Sequence, residues 1–240
     1  MNERRSISVV IPFYNEQENV PLMAARLRGV FDALGGTCEC LMVNDGSRDG
    51  TRDAMEAVAK SDPRFRAVHL AGNFGQSAAL ITGMRLAKGD FICTLDGDLQ
   101  NDPEDLPELV KLLGQYDCVC GYRAQRNDTW VRRVSSRVAN RVRNAILKDG
   151  LRDTGCGTKG FRRECIQHLV PFNGAHRFFA AVLRAAGMSI TECPVRHHPR
   201  THGVSKYGIG NRLGRGIYDL IGVRWLQRRL VFPSVEGGAD

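Results

Sequence analysis

The sequence predicts an α/β fold: a mostly parallel sheet flanked by helices, with an amphipathic helical segment near the C-terminus. Three observations carry this. Short β-rich runs alternate with helical patterns through the first half of the chain, the signature of βα units. The run over 7–11 is apolar enough for a strand covered on both faces. The apolar run Phe91-Ile92-Cys93-Thr94-Leu95 ends abruptly in Asp96-Gly97-Asp98-Leu99-Gln100, as expected where a strand meets the ligand-binding carboxyl edge of an open sheet.

The elements follow in order. After the first strand come Pro12-Phe13-Tyr14-Asn15-Glu16 and a helical pattern with Val20, Ala24, Leu27, Val30, Phe31 and Leu34 apolar, stopped by Gly35-Gly36. A strand over 39–43 closes on the turn-rich loop from Asn44 to Gly50. A helix over 51–60 and a strand over 65–70 follow, and Gly72-Asn73-Phe74-Gly75-Gln76 opens a helix over 77–87. Asp102 reads as an N-cap with Pro103 at the first helical position, so Glu104 and Asp105 are assigned to the helix start rather than to metal binding. A strand over 117–121 precedes a helical pattern in which Val131, Val134, Val138, Val142, Ala145 and Ile146 share one face. Beyond it lie a Gly/Thr/Cys-rich loop over 153–161 leading into a strand, a helix over 175–186 and a strand over 189–195. Ile209, Leu213, Ile217, Leu220 and Ile221 then trace an amphipathic helix. These predict a catalytic domain over 1–207, an amphipathic segment over 208–230 and a disordered tail over 231–240.

Composition narrows the class. No stretch approaches the ~18–20 apolar residues that span a bilayer, and the N-terminus shows no signal-peptide pattern. The eight cysteines are therefore expected to be reduced thiols in a cytosolic protein. The Cys38/Cys40 and Cys118/Cys120 pairs raise a zinc reading but lack a matching partner set, which favours small buried hydrophobes. The net charge is +8, and the excess sits in the second half. Residues 123–152 hold nine Arg or Lys against two Asp, and 196–229 hold eight against one. An anionic partner for that half follows. Nucleic acid is disfavoured, because these clusters lack interleaved aromatics for base stacking.

The D-x-D pair carries the most chemistry. In extended chain two carboxylates one residue apart point the same way, and hard oxygens of this kind suit Mg²⁺ or Mn²⁺ shared with substrate phosphates. Asp45-Gly46-Ser47 also fits an ordinary Asx turn, and Pro12 and Tyr14 also fit a plain strand end.

The ordered set Val10-Ile11-Pro12-Phe13-Tyr14-Asn15-Glu16, Val43-Asn44-Asp45-Gly46-Ser47, Gly72-Asn73-Phe74-Gly75 and Asp96-Gly97-Asp98-Leu99-Gln100 resembles family 2 glycosyltransferases of the GT-A (Rossmann-like) type. Asp153-Thr154-Gly155-Cys156-Gly157, His176-Arg177-Phe178 and His202-Gly203-Val204-Ser205-Lys206-Tyr207 are similar to the branch acting on polyprenyl phosphates, which includes dolichol-phosphate mannose synthase. The resemblance covers 6–229 and implies inverting, metal-dependent transfer of a mannose- or glucose-type hexose from a nucleoside-diphosphate sugar to a dolichyl or undecaprenyl monophosphate. It places Pro12, Tyr14, Glu16 and Asp45 at the nucleoside, and Asp96, Asp98 and Gln100 at the metal. Ser205 and Lys206 fall at the donor diphosphate, with Arg200 and His202 beside them. Arg123, Arg132 and Ser136 fall at the acceptor phosphate, with Arg133 and Arg137 as the alternative register.

The acceptor decides the mechanism. A hydroxyl needs a general base, whereas a monophosphate has a second pKa of about 6 and arrives largely ionised, needing only cations to hold it. Family 2 transfer to a saccharide or protein hydroxyl is the alternative, with Asp153 and Glu192 the only nearby base candidates. His176 and Arg177 open a helix whose start suits a sugar or phosphate oxygen or simple capping. A bilayer lipid acceptor implies a peripheral enzyme on the cytoplasmic face, alone or beside a membrane-embedded partner subunit. The stretch from Ile209 to Trp225 is suited either to the membrane interface or to packing on the domain.

Overall fold

Along the central strands alternate side chains point to opposite faces, and both sets are apolar, so each strand must be covered twice. In β1 (Ile7–Phe13), Val9, Ile11 and Phe13 enter one core and Val10 the other; in β2 (Cys38–Asn44), Cys40 and Met42 oppose Leu41 and Val43. The computed structural model describes residues 5–124, 140–199 and 212–231, with side chains outside 212–215. The further strands are β3 (Phe65–His69), β4 (Phe91–Thr94), β5 (Cys118–Arg123), β6 (Lys159–Arg162) and β7 (Ile190–Val195). They form a seven-stranded sheet in the order β3-β2-β1-β4-β6-β5-β7. One face is covered by α1 (Asn19–Leu34), α2 (Thr51–Ser61) and α4 (Leu106–Leu113). The other is covered by α3 (Gln76–Leu86) and α6 (Phe179–Ala185). Fully burying each such Val, Ile, Leu or Phe contributes about 1.5–3 kcal/mol, and this double cover is what fixes the sheet's edges.

The sheet is parallel except for β6, which runs antiparallel to both of its neighbours, β4 and β5. That reversal places a functional loop. An antiparallel strand enters the sheet where its neighbours leave it, so the segment before β6 lies at the same carboxyl edge as the ends of β4 and β5. Lys159, the first residue of β6, pairs with Thr94, the last of β4.

Local signals act as expected at most boundaries. Gly35 ends α1 at φ 57°, a left-handed turn that costs glycine little. Asp102 caps the short 3₁₀ turn Pro103–Asp105 by accepting from the Glu104 N–H at 3.0 Å. All eight cysteines are buried thiols. The expected helix over 175–186 is shorter: Gly174 at φ 88° starts a single 3₁₀ turn, Ala175–Arg177, before α6.

One amphipathic pattern holds only in part: of its face Ile146 packs inward, Val142 is exposed, and Val131, Val134 and Val138 lie outside the described residues. The helix seen over 140–147 (α5) buries Arg143 and Leu147 while Val142 stands 49% exposed. Arg143 turns inward because its guanidinium meets Asp149 (2.9 Å), Asn140 (2.6 Å), Thr154 (3.1 Å) and the Leu151 carbonyl. A buried charge with this many partners outweighs the apolar pattern and organises the turn that leads to β6.

The C-terminal helix α7 (Arg212–Arg229) uses both of its faces. Leu220 and Val223 pack on Leu147, Phe178 and Ala181, and Gln227 donates to the Ala181 and Leu147 carbonyls. Ile217, Tyr218, Ile221 and Trp225 face outward, with Tyr218 80% exposed. No helix among the described residues is long and apolar enough to cross a membrane.

Candidate active site

Four loops meet at the carboxyl edge, and small residues let them touch. A Cβ on Gly97 would fall 2.7 Å from the Phe13 ring and the Pro12 carbonyl, so the D-x-D loop rests directly on the end of β1. Gly46, at φ 68°, lies against Gly72, where a Cβ would come within 2.5 Å of backbone. The motifs read separately in the sequence are therefore one surface.

The loops after β1 and β2 hold each other through backbone donors. Asn15, at φ 52°, donates its N–H to Ser47 (3.0 Å) and accepts from the Arg48 N–H (2.8 Å). The Glu16 N–H donates to Thr51 (2.8 Å), and its carboxylate accepts from Asn19. Asp45 accepts from the Phe74 and Gly75 N–H groups at 2.8 and 2.9 Å. Burial raises its pKa, and those two donors work against the rise. The Asp45 N–H donates to the Phe13 carbonyl at 2.9 Å, so the loops carrying Pro12, Tyr14, Glu16 and Asp45 are adjacent, and Asp45 also ties the second motif to the third.

Asp96 and Asp98 sit on a tight loop that turns through Leu99 at φ 61°. A buried leucine in the left-handed region costs about 1–2 kcal/mol, and such strain gathers at functional sites. The Asp96 N–H is fixed by Asn101 (2.9 Å), its Oδ1 accepts from Gln76 (2.8 Å), and Asp98 accepts from the Gln100 N–H (3.2 Å). The Gln100 side-chain N–H donates to the His198 carbonyl at 3.4 Å, which leaves its amide oxygen for a ligand. Among the described residues no three His, Cys, Asp or Glu side chains converge. Two carboxylates and one amide oxygen fit a hard divalent ion that completes its shell with phosphate and water; a closed zinc cage needs four. Glu104 and Asp105 instead hold Arg196 at 2.9 and 3.0 Å.

On the other side Arg123, at the end of β5, makes a two-pronged pair with Asp153 at 2.7 and 3.0 Å. Glu192 accepts from the Arg152 N–H (2.7 Å) and faces its guanidinium. Both base candidates are therefore held in ion pairs with arginines. Arg132, Ser136, Arg200, His202, Ser205 and Lys206, with the alternatives Arg133 and Arg137, lie outside the described residues, as does 232–240.

Some site residues had no assigned role in the sequence. Gly157 lies under Asp96, where a Cβ would fall 2.1 Å from its carboxylate. Thr94 donates to the Gly157 carbonyl at 2.7 Å. Lys159 is buried beside them, and a lysine inside a strand-like run was the available signal. His176 meets Ser77 at 2.7 Å; burial, with Lys159 and Arg177 nearby, pushes its pKa down to about 3. A wider groove of about 600 Å³, lined by Arg26, Val30, Asp102 and His198 among others, lies beyond the strand edge and holds none of these groups.

The comparisons agree with this geometry. The chain is 36% identical over 217 residues to an undecaprenyl-phosphate 4-deoxy-4-formamido-L-arabinose transferase of Edwardsiella ictaluri, matching 90% of this chain and 66% of that protein. It is 37% identical over 234 residues to a dodecaprenyl-phosphate galacturonate synthase of Rhizobium johnstonii, 95% of this chain and 69% of that one. The chain thus spans about two thirds of the length of these curated relatives. Glucosyl-3-phosphoglycerate synthase from Mycobacterium tuberculosis, solved with Mn²⁺, UDP and phosphoglyceric acid, superposes with a TM-score of 0.69 at 20% identity, covering 95% of this chain and 80% of that one. That likeness establishes the GT-A fold. The profile described as Glycosyl transferase family 2 matches residues 8–170, and the chain belongs to that family.

Proposed function

We propose that this protein is an inverting glycosyltransferase that moves a hexose-type sugar from a nucleoside-diphosphate sugar to a polyprenyl monophosphate. The observation that carries the reading is the pairing of both candidate bases with arginines, at a site whose oxygen ligands suit a divalent ion. Among the described residues both carboxylates that could serve as the base for a hydroxyl are engaged by arginines, whereas an ionised phosphate needs no base. The relatives named above are transferase and synthase of undecaprenyl- and dodecaprenyl-phosphate sugars.

In this reading Pro12, Tyr14, Glu16 and Asp45 hold the nucleoside, and Ser205 and Lys206 contact the donor diphosphate. Asp96, Asp98 and Gln100 would hold Mg²⁺ or Mn²⁺, which supplies charge neutralisation for the departing diphosphate. Arg123, Arg132 and Ser136 align the acceptor phosphate. One of its oxygens bonds to the anomeric carbon while the carbon–oxygen bond to the diphosphate breaks. The electron pair leaves on the diphosphate, and the anomeric configuration inverts. Mutation separates this from transfer to a hydroxyl: Arg132→Ala is expected to abolish transfer, whereas Asp153→Asn should leave measurable activity. Loss in Asp153→Asn with activity retained in Arg132→Ala would establish the hydroxyl mechanism instead.

The acceptor lives in a bilayer, and the outward face of α7 suits an anionic surface on the cytoplasmic side. Ile217, Tyr218, Ile221 and Trp225 form an apolar stripe flanked by Arg224, Arg228 and Arg229, a pattern that inserts shallowly with its cations at the headgroups. A membrane-embedded partner subunit is the further expectation carried by the acceptor's location. Sedimentation with anionic vesicles should fall about tenfold in the double variant Ile221→Asp, Trp225→Asp; equal pelleting would remove α7 from membrane binding.

A further inference from the structure

Beside Asp96 lies a cavity of about 90 Å³ whose walls include Thr94, Gly157, Lys159, His176 and Phe179. It is roomy enough for a carboxylate or phosphate group with some water. Its charged lining is one cation, Lys159, and one carboxylate, Asp96. Lys159 is 4% exposed, and its ammonium donates to the Cys156 carbonyl. Among the described residues no carboxylate comes within ion-pair reach of it. A buried cation with only a carbonyl partner is costly unless an anion arrives to meet it.

His176 supplies a second donor of fixed direction. Its own backbone N–H donates to Ser77 Oγ at 3.3 Å, so the Ser77 hydroxyl hydrogen is available for the ring Nδ1 at 2.7 Å. With Nδ1 accepting, the neutral ring carries its hydrogen on Nε2. Nε2 is then the ring nitrogen not engaged by Ser77, on a side chain that lines the cavity. The low pKa of this histidine keeps the arrangement unchanged across physiological pH.

We propose that this cavity is an oxyanion subsite of the donor site, in which the Lys159 ammonium and the His176 Nε2–H receive a carboxylate on the transferred sugar or oxygens of the donor diphosphate. The proposal rests on the transferase reading and adds to it two residues that discriminate by charge. Asp96 forms the wall shared with the metal loop, and Gly157 keeps the entrance open because no side chain fits between it and Asp96.

The test is calorimetric titration, with Mn²⁺ present, of the wild type, Lys159→Gln and His176→Leu. The ligands are UDP and GDP, each with its hexose and hexuronate conjugates. Loss of one charged hydrogen bond predicts weakening of about ten- to a hundredfold. Weakening confined to the hexuronate conjugates supports the sugar carboxylate as occupant; equal weakening of diphosphates and all conjugates supports the diphosphate. Both variants binding every ligand within twofold of wild type overturns the subsite and leaves the transferase reading standing. A wild type that binds no nucleotide overturns both. If Lys159→Gln does not fold, as judged by its melting temperature, His176→Leu alone carries the same comparison.

Discussion

Asp98→Ala should lower the rate of sugar transfer by about 10²–10³-fold at saturating Mn²⁺, the size of effect seen when one fixed electrostatic contact to developing charge is removed. Asp98 stands on a loop already turned through a left-handed leucine, and its carboxylate accepts from the Gln100 N–H within that turn. Losing it removes a hard ligand from a set of three, so more Mn²⁺ should be needed for half-maximal rate. The melting temperature without metal should move little, because Asp98 lies on the rim rather than in either core. Glu104→Gln is the matched control: Glu104 meets Arg196 on the exposed surface, and exposed pairs contribute only about 0–1 kcal/mol. Full activity in Asp98→Ala, or an equal loss in Glu104→Gln, would remove the D-x-D loop from the reaction.

Gly157→Ala is the second large effect. The added methyl would sit 2.1 Å from Asp96 Oδ2, a separation no pair of non-bonded atoms sustains. Either Asp96 swings off Gln76 or the entry to β6 shifts, and displacement of about 1 Å near reacting atoms costs on the order of 10²-fold. Overpacking should also lower stability by about 1–3 kcal/mol, which thermal melts will separate from the kinetic loss. Gly155→Ala is the control for contact with Asp96. There the new methyl meets the nearest Arg123 nitrogen at 3.5 Å, an ordinary contact, so activity should stay within a few-fold. Equal losses at both glycines would mean that the loop as a whole, rather than its contact with Asp96, is at stake.

Much of this molecule was legible before its structure. Parallel strands buried on both faces leave continuous apolar runs, so β1, β2 and β4 and their following loops were readable, as was the Asp102 cap. The fold class and the family both held. What periodicity could not supply was the antiparallel insertion of β6, since strand direction leaves no mark on a four-residue run. With β6 unplaced, Gly157 and Lys159 had no reason to lie beside Asp96. The face of α5 was misjudged for a different reason. A rule that puts apolar residues inward cannot foresee an arginine buried by Asp149 and backbone carbonyls while Val142 stays outside. Of the α7 alternatives, packing on the domain is seen in Leu220 and Val223, while Trp225 and Tyr218 face out. The partnership of Arg123 with Asp153 was not legible, because the two are thirty residues apart in sequence.

The most direct measurement is chromatographic detection of a lipid-linked sugar after the purified protein is incubated with undecaprenyl or dolichyl phosphate, labelled nucleotide sugars and Mn²⁺ or Mg²⁺. The expected product is extractable into organic solvent, dependent on the divalent ion and absent with Asp98→Ala. Label passing instead to a saccharide or protein hydroxyl, with the lipid phosphate untouched under every donor, would contradict it.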